Sequence, residues 1–307
     1  DVYFGSAYLN ATARAAVGAP PRLDQAKYKV VLVGHDAYQH GAQLLVLHIG
    51  EILTSQFGMQ VHFVICGDGP LLEDYRRIGG VTKLASTDVD GTRVACARLV
   101  AAGYARAIVN TTVSGWTLPI LKSQGFVVTT LVHELSNLIQ ERSLQPEASN
   151  IASESDTIVF PAEVVRDSFL AVSGQPAGEV HVEPQGLYRS DLLEVTHDTG
   201  ALRDALELPS DAKVVINVGY ADMRKGFDIF AKIARDICES HHDFYFVWIG
   251  DGTEEVQRWL LPHFAHGDFA DRIRLTGYTA EIDQYYAIAD VFFLTSREDP
   301  FPSVVME

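Results

Sequence analysis

The stretch that decides the fold is residues 274–307, RLTGYTAEIDQYYAIADVFFLTSREDPFPSVVME. Its pattern predicts a strand that ends at Gly277, a short amphipathic helix, and a buried strand over 291–295. A polar turn over 296–303 then leads into a helix that begins at Ser303. In open α/β sheets, ligands bind at loops between the carboxyl end of a buried strand and the amino terminus of a helix. The stretch therefore predicts an α/β sheet with a ligand site at one edge.

The polar turn also has the chemistry of a ligand loop. The free N–H groups at the start of the following helix favour an anion. Asp299 and Glu307 lie eight residues apart and bracket this turn with two carboxylates. The pattern alone fits an acidic surface loop beside an ordinary helix equally well.

The rest of the chain alternates predicted strands and helices. The predicted strands are 29–34, 60–66, a short one near Lys83, 106–110, 127–132, 157–160, 179–183, 214–219, 244–250 and 273–276. The predicted helices are 41–57, 71–78, 90–102, 115–124, a helix after Glu134 that reaches about Glu154, 162–170, 226–240, 254–264 and 282–288. Alternating βα units of this length predict parallel, doubly wound sheets.

Loss of periodicity between Pro184 and about Leu193 marks a domain junction. We therefore predict a lead-in segment over 1–28, an amino-terminal domain over 29–188 and a carboxyl-terminal domain over 189–307. The second domain has fewer strands and helices than a complete doubly wound domain. We expect the natural protein to continue beyond this sequence, and the 307-residue chain alone to be a poor catalyst that tends to associate.

Composition and charge narrow the class of protein. The chain has 307 residues, 47% hydrophobic and 21% charged, and no apolar run long enough to span a membrane. A formal net charge of −16 argues against a nucleic acid or anionic lipid surface as the partner. Cys66, Cys96 and Cys238 are few and scattered, which favours buried free thiols and a cytoplasmic location. Zinc-binding HExxH, nucleophile-elbow, Walker and GxGxxG patterns are absent from the sequence.

A basic loop follows the predicted strand at 214–219. Its sequence, Val218–Gly226, is VGYADMRKG, and Arg224 and Lys225 come directly before the glycine that opens a helix. Cations at a helix amino terminus oppose the helix dipole. An anionic ligand such as a diphosphate would resolve this conflict, whereas a solvated basic turn is the alternative.

His133 and Gly41 are two further candidates in the first half of the chain. His133 follows a buried strand, a position typical of either a structural histidine or a site residue. Gly41 ends the loop after the first predicted strand.

The two loops of the second half resemble motifs of glycosyltransferase family 4. The family pattern of two acids separated by seven residues is matched by DPFPSVVME, Asp299–Glu307, with Asp in place of the usual first Glu. The Gly…Lys-Gly pattern is matched by Gly219, Lys225 and Gly226, with Tyr220 where the family often has Arg. The resemblance implies the GT-B architecture: an α/β protein with two Rossmann-like, doubly wound domains that face a cleft, the second incomplete in this sequence.

The resemblance also implies an activity. It implies a retaining hexosyltransferase that uses a nucleoside diphosphate sugar, a glycan or lipid-linked acceptor, and neither a metal nor a cofactor. A role in bacterial surface polysaccharide synthesis would fit a cytoplasmic protein, with peripheral contact to the inner face of the membrane. By resemblance His133, Asp299 and Glu307 are catalytic, Gly41 contacts phosphate or acceptor, and the donor-binding residues are Gly219, Arg224, Lys225, Gly250, Gly277, Tyr278, Glu298, Phe301, Pro302 and Ser303. A nucleotide-sugar epimerase of the same fold and a non-catalytic sugar-nucleotide-binding module remain alternatives.

Overall fold

The chain divides into two compact units, Asp1–Gln185 and Gly186–Glu307. The structure, a computed structural model, describes residues 28–186, 199–260, 262 and 270–307. The predicted lead-in segment, except Tyr28, and the predicted junction at 188–189 lie outside the described residues.

The first unit contains a seven-stranded parallel sheet in the order β3-β2-β1-β4-β5-β6-β7. This is the Rossmann order, with a topological switch point between β1 and β4. Its strands are β1 Lys29–Gly34, β2 Gln60–Ile65, β3 Gly80–Lys83, β4 Arg106–Asn110, β5 Val127–Leu131, β6 Thr157–Phe160 and β7 Glu179–Val182. The α-helices are α1 Gly41–Ser55, α2 Leu72–Ile78, α3 Val89–Ala101, α4 Leu118–Ser123, α5 Ser136–Glu141, α6 Gln145–Glu154 and α7 Glu163–Ser173.

Both faces of this sheet are covered. Successive side chains of a strand point to opposite faces, and Val31 and Val33 of β1 join one core cluster while Val30 and Leu32 join the other. All four are buried. A strand buried on both faces reads as a continuous apolar run, which is why β1 could be predicted from its sequence.

The second unit contains a four-stranded parallel sheet in the order β10-β9-β8-β11. Its strands are β8 Lys213–Val218, β9 Phe244–Ile249, β10 Ile273–Leu275 and β11 Val291–Phe292, and its α-helices are α8 Thr199–Ala205, α9 Phe227–Ser240, α10 Ile282–Ile288 and α11 Ser303–Met306. The spatial order repeats the first four strands of the first unit, so β8 and β11 flank the equivalent switch point.

Three predicted elements differ from the structure, two in the first unit and one at the edge of the sheet in the second unit. The helix predicted over 115–124 begins as a 3-10 helix, Thr112–Thr117, before α4. The helix predicted after Glu134 is two helices, α5 and α6, because Ser143 has a φ of +56° and a proline stands in the first turn of α6. The buried strand predicted over 291–295 pairs over only two residues.

The last difference has a physical cause. β11 pairs with β8 on one side only among the described strands, so it is an edge of the described sheet. Val291 is 47% exposed and Leu294 is 37% exposed. An apolar run can therefore indicate a strand without showing how completely it is covered.

The helix predicted over 254–264 also differs. Val256–Leu260 forms a π-helix, in which hydrogen bonds join residues five apart. Most of the predicted helix beyond Leu260 lies outside the described residues.

At Gly226 the backbone of the loop after β8 lies close to the backbone of the loop after β11. Its φ is +77°, and a Cβ there would lie 2.0 Å from the carbonyl oxygen of Thr295. Gly277 has a similar φ of +80°, but a Cβ there would meet only an Asp251 carboxylate oxygen at 3.4 Å. These two glycines separate the cost of backbone strain from the cost of a collision.

We expect Gly226→Ala to lower the free energy of unfolding by about 3 kcal/mol or more, because strain and collision add. Gly277→Ala, the matched control, should cost about 1–2 kcal/mol through strain alone. Urea unfolding of both variants measures the difference. Equal losses would show that the loop after β11 can withdraw from Gly226 at no cost.

Candidate functional site

Three predicted glycines lie at the carboxyl ends of neighbouring strands in the second unit. Gly219, Gly250 and Gly277 follow β8, β9 and β10, and all have positive φ. A Cβ at Gly250 would lie 2.3 Å from the Gly219 carbonyl oxygen, and the Gly250 amide donates to the Gly277 carbonyl at 2.9 Å. The buried Trp248 indole also donates to the Gly219 carbonyl at 2.7 Å. Close packing of the backbone therefore requires glycine at 250, and the positive φ favours glycine at 219 and 277.

Arg224 and Lys225, the two predicted cations, lie directly before α9. The Lys225 ammonium pairs with the Asp299 carboxylate at 2.5 Å, and the two side chains are 17% and 10% exposed. Arg224 Nη1 donates to the carbonyl oxygen of Glu298 at 2.9 Å. The loop after β11 therefore supplies an anion and a carbonyl to the cations of the basic loop. This contact partly resolves the conflict with the helix dipole that the sequence predicted a ligand would resolve.

Asp299 and Glu307, the two acids of the predicted motif, have different partners. Asp299 Oδ2 also accepts from the Ser296 hydroxyl at 3.2 Å. Glu307 Oε2 accepts from the Tyr286 hydroxyl at 3.0 Å. Asp299 is thus joined to the basic loop, whereas Glu307 is joined to α10.

The remaining predicted donor residues lie on the surface of this region. Phe301, Pro302 and Ser303 are partly buried, and Pro302 precedes α11. Tyr278 is 55% exposed, and its amide donates to Asp251 Oδ1 at 3.1 Å. An exposed tyrosine beside a Gly turn is free to stack on a flat ligand.

Sequence reasoning missed several polar residues that organise this region. Asn217 is buried at the end of β8, and its Nδ2 donates to the Thr295 hydroxyl at 3.1 Å. The Thr295 hydroxyl in turn donates to the Gly226 carbonyl at 3.0 Å. A polar residue at the end of an apolar strand, the signal used for His133, would also have found Asn217 and Thr295. Asp228 and Arg297 gave no such signal.

In the first unit, His133 belongs to a continuous hydrogen-bonded chain. Asn110 Nδ2 donates to the Ala42 carbonyl at 2.9 Å, so its Oδ1 faces His133 Nε2 at 3.0 Å. Gln185 Nε2 lies 3.3 Å from His133 Nδ1. These contacts assign the neutral tautomer with hydrogen on Nε2, which donates to Asn110 while Nδ1 accepts from Gln185. Both ring nitrogens are therefore engaged within the first unit.

Glu134, next to His133, is also part of the buried framework. Its Oε2 accepts from the Thr112 amide at 3.0 Å, the Thr112 hydroxyl at 2.7 Å and the His133 amide at 3.2 Å. The carboxylate thus ties the loop after β4 to the loop after β5.

His35 shows the same arrangement at the end of β1. Its ring nitrogens face Gln43 Nε2 at 3.0 Å and the Thr111 hydroxyl at 3.2 Å, across the switch point between β1 and β4. Burial lowers the pKa of His35 below its ordinary value, although Asp36 opposes the shift. Gly41 begins α1 close by in sequence, and a Cβ there would meet nothing within 4 Å. The space beside Gly41 is therefore open.

The cysteines are poor candidates for nucleophilic or metal-binding residues. Burial raises the pKa of the Cys66 thiol to about 12 and that of Cys96 to about 11, so neither is a thiolate nucleophile near neutral pH. All three cysteines are buried and unbridged, as the sequence predicted. Among the described residues, no group of three or more His, Cys, Asp and Glu side chains could hold a metal ion. In the same part of the chain, no helix is long and apolar enough to cross a membrane.

Burial also lowers the pKa of His133 below its ordinary value of 6.5, and Glu134 only partly opposes this shift. The unfolded chain therefore takes up a proton before the folded one does. The contribution of His133 to stability is complete above about pH 6.5 and declines as the pH falls below it, by about 1.4 kcal/mol per pH unit at most.

We expect His133→Gln to reduce this loss of stability under acid conditions, while His35 keeps its own share. Urea unfolding at several pH values between about 5 and 7.5 gives the slope of unfolding free energy against pH for the wild type and for the variant. An identical slope in the wild type and the variant would show that His133 takes up its proton equally easily in both states.

Comparisons with known proteins show which proteins this chain resembles. Residues 198–307 match the family described as Glycosyl transferases group 1. The lipopolysaccharide core biosynthesis glycosyltransferase LpsD of Rhizobium meliloti is 30% identical over 105 residues, which cover 34% of this chain and 29% of that protein. The chain thus matches less than a third of the length of this curated relative.

Solved structures match almost the whole chain. Anabaena HepE in complex with UDP-glucose superposes with a TM-score of 0.76 at 16% identity, over 90% of this chain and 76% of that one. WaaG, a glycosyltransferase involved in lipopolysaccharide biosynthesis, gives a TM-score of 0.69 at 12% identity, over 90% of this chain and 77% of that one. At such identities the likeness concerns the fold. The chain has the Rossmann-like GT-B fold, and its residues 198–307 match the group 1 glycosyl transferases.

Proposed function

We propose that this protein is a retaining glycosyltransferase of family 4 that moves a hexose from a nucleoside diphosphate sugar to a glycan or lipid-linked acceptor. The observation that carries the proposal is the meeting of two loops at the switch point of the matched region. Lys225 and Arg224 of one loop contact Asp299 and Glu298 of the other. Open α/β sheets bind ligands at this position.

The basic loop is suited to the leaving group of such a reaction. Sugar transfer leaves a nucleoside diphosphate, whose negative charge must be stabilised as the glycosidic bond breaks. Lys225 and Arg224 precede α9, whose amino terminus adds the positive end of a helix dipole. Asp299 pairs with Lys225, so a diphosphate must compete with this carboxylate.

The acids would act on the sugar and the ribose. We assign Asp299, or the adjacent Glu298, to the sugar hydroxyls and Glu307 to the nucleotide ribose. When a diphosphate draws Lys225 away, Asp299 is released to accept hydrogen bonds from the sugar. The turn at Gly277 and Tyr278 supplies backbone groups and an exposed ring for the base.

His133 fits a role in sugar binding only through exchange of a partner. Its Nε2 is held by Asn110, and its contact with Gln185 is the longer of the two, 3.3 Å against 3.0 Å. A sugar hydroxyl that replaced Gln185 could donate to Nδ1 without a change of tautomer.

The names of the similar proteins guide the choice of donor and pathway. The HepE structures contain UDP and UDP-glucose, so uridine diphosphate sugars are the first donors to test. LpsD is named for lipopolysaccharide core biosynthesis, which supports a role in bacterial surface polysaccharide synthesis. Such a role would place the protein in the cytoplasm, with peripheral contact to the inner face of the membrane.

A thermal-shift screen against nucleoside diphosphate sugars tests the proposal directly. A ligand that binds the folded state at 100 times its Kd stabilises it by about 2.7 kcal/mol. The best donor is then incubated with candidate acceptors, and NMR of the product gives its anomeric configuration. Release of an epimerised sugar without an acceptor would instead identify an epimerase, and inversion would refute the retaining mechanism.

We expect Lys225→Met to weaken binding of nucleoside diphosphates but not of the bare nucleoside. One charge-assisted contact is worth about 1.5–3 kcal/mol, reduced here by the pairing that Asp299 gives up. Calorimetric titration measures both ligands. Lys225→Met/Asp299→Asn is the matched control, because it removes the cation without leaving a carboxylate unpaired. Equal losses for diphosphate and nucleoside in both variants would refute the assignment.

Transfer should persist in excess EDTA. The basic loop brings side-chain cations to the position where a metal-dependent enzyme would use clustered carboxylates and a divalent ion. Initial rates before and after chelation provide the measurement. A rate abolished by EDTA and restored by magnesium or manganese would contradict this prediction.

A further inference from the structure

An ion pair outside both predicted motifs joins the two loops of the candidate site. Arg297 Nη1 and Nη2 donate to Asp228 Oδ1 and Oδ2 at 2.7 and 2.8 Å. Arg297 lies in the loop after β11, and Asp228 lies in the first turn of α9, directly after the basic loop. Two parallel bonds of this kind fix the relative orientation of both side chains.

Arg297 also grips the basic loop itself. Its Nη1 donates to the Met223 carbonyl at 2.7 Å, and its backbone amide donates to the Arg224 carbonyl at 2.8 Å. Arg297 therefore bonds to the chain on both sides of Lys225, to residues 223 and 224 before it and Asp228 after it. One residue thus holds two backbone carbonyls before Lys225 and one side-chain carboxylate after it.

The reciprocal contacts run from the basic loop to the residues after Arg297. Arg224 Nη1 donates to the Glu298 carbonyl, and Lys225 Nζ donates to the Asp299 carboxylate. Three consecutive residues of one loop, 223–225, are thus hydrogen-bonded to three consecutive residues of the other, 297–299. The position of Lys225 relative to Asp299 therefore depends on Arg297.

Stability alone does not account for this pair. Arg297 is 44% exposed and Asp228 is 24% exposed, and ion pairs on a surface contribute little to folding. Asp228 already has a favourable place in the first turn of a helix, where the dipole stabilises a carboxylate. What the pair adds is orientation between two loops that are distant in sequence.

We propose that Arg297 and Asp228 are positioning residues for donor binding, and that they hold the Arg224–Lys225 segment in the geometry that receives the diphosphate. Neither residue touches the ligand. This inference rests on the proposed function, because it names what places the cations of that site.

The geometry also identifies the substitution that tests orientation apart from charge. A lysine at position 297 would keep the positive charge. It could not form two parallel hydrogen bonds to Asp228 while also donating to the Met223 carbonyl. Arg297→Lys therefore preserves the local positive charge and removes the two parallel hydrogen bonds to Asp228. Arg297→Met and Asp228→Asn remove the pair from either side.

The experiment measures dissociation constants by calorimetry for the tightest-binding of UDP, dTDP, GDP and ADP, and for its nucleoside. We expect Arg297→Lys and Arg297→Met to weaken diphosphate binding by roughly tenfold, or about 1.4 kcal/mol, and to leave nucleoside binding within about twofold. Asp228→Asn should act in the same direction. The Arg297→Met/Asp228→Asn double variant should bind the diphosphate no more weakly than the weaker-binding single variant. The reason is that the two substitutions remove the same interaction.

A second ion pair on α9 provides the matched control. Lys232 Nζ lies 2.6 Å from Asp236 Oδ2, and both side chains are more exposed than Asp228. Lys232→Met/Asp236→Asn removes an ion pair from the same helix and should leave both dissociation constants unchanged. With a competent acceptor, the Arg297 variants should raise the KM for the donor more than they lower kcat.

The outcomes separate the two proposals. Unchanged diphosphate binding in the folded Arg297 variants would overturn the positioning role and leave the proposed function intact. Equal loss of diphosphate and nucleoside binding, together with a lower unfolding free energy, would assign the pair a structural role and also overturn it. Should Arg297→Met not fold, Arg297→Lys decides. A wild-type protein that binds none of the four diphosphates would overturn the proposed function and this inference with it.

Discussion

The parallel pairing of β11 with β8 is the constraint on which the candidate site depends. Val291 and Phe292 lie opposite Val215 and Ile216, and this register brings the chain after β11 beside the chain after β8. Because the strands are parallel, their carboxyl ends are at the same edge. Residues 74 positions apart, such as Lys225 and Asp299, then meet within hydrogen-bonding distance.

Close approach of backbone segments at that edge determines which residues can occupy it. A Cβ at Gly226 or Gly250 would collide with backbone, and the positive φ at Gly219 would strain a residue with a side chain, so all three positions favour glycine. Around them, Asn217 and Thr295 are buried and satisfied by one another and by loop carbonyls. A buried polar group without a partner costs free energy, so this network also fixes one arrangement of the loops.

The first unit applies the same principle at its own switch point. His35 and Thr111 meet across β1 and β4, and Asn110 links α1 to His133. Burial keeps both histidines neutral near pH 7, so their protons are placed by hydrogen bonds. At this edge His35, Asn110 and His133 already have hydrogen-bond partners, and a ligand that binds them must replace existing contacts, as proposed for Gln185.

Several features of this protein followed from its sequence alone. The continuous apolar run of β1 and the alternation of helical and strand patterns predicted the parallel sheets, since strands covered on both faces need no polar residues. The loops at 219–226 and 296–303 could be identified because their glycines, cations and acids interrupt apolar strands at positions where such residues have a cost. The tertiary structure decided what no local pattern carries: the short pairing of β11, the engagement of His133 by Asn110 and Gln185, and the clamp of Arg297 on Asp228. Local sequence records the conformational and burial preferences of each residue, whereas these contacts join segments far apart in the chain and exist only once the strand order has been formed.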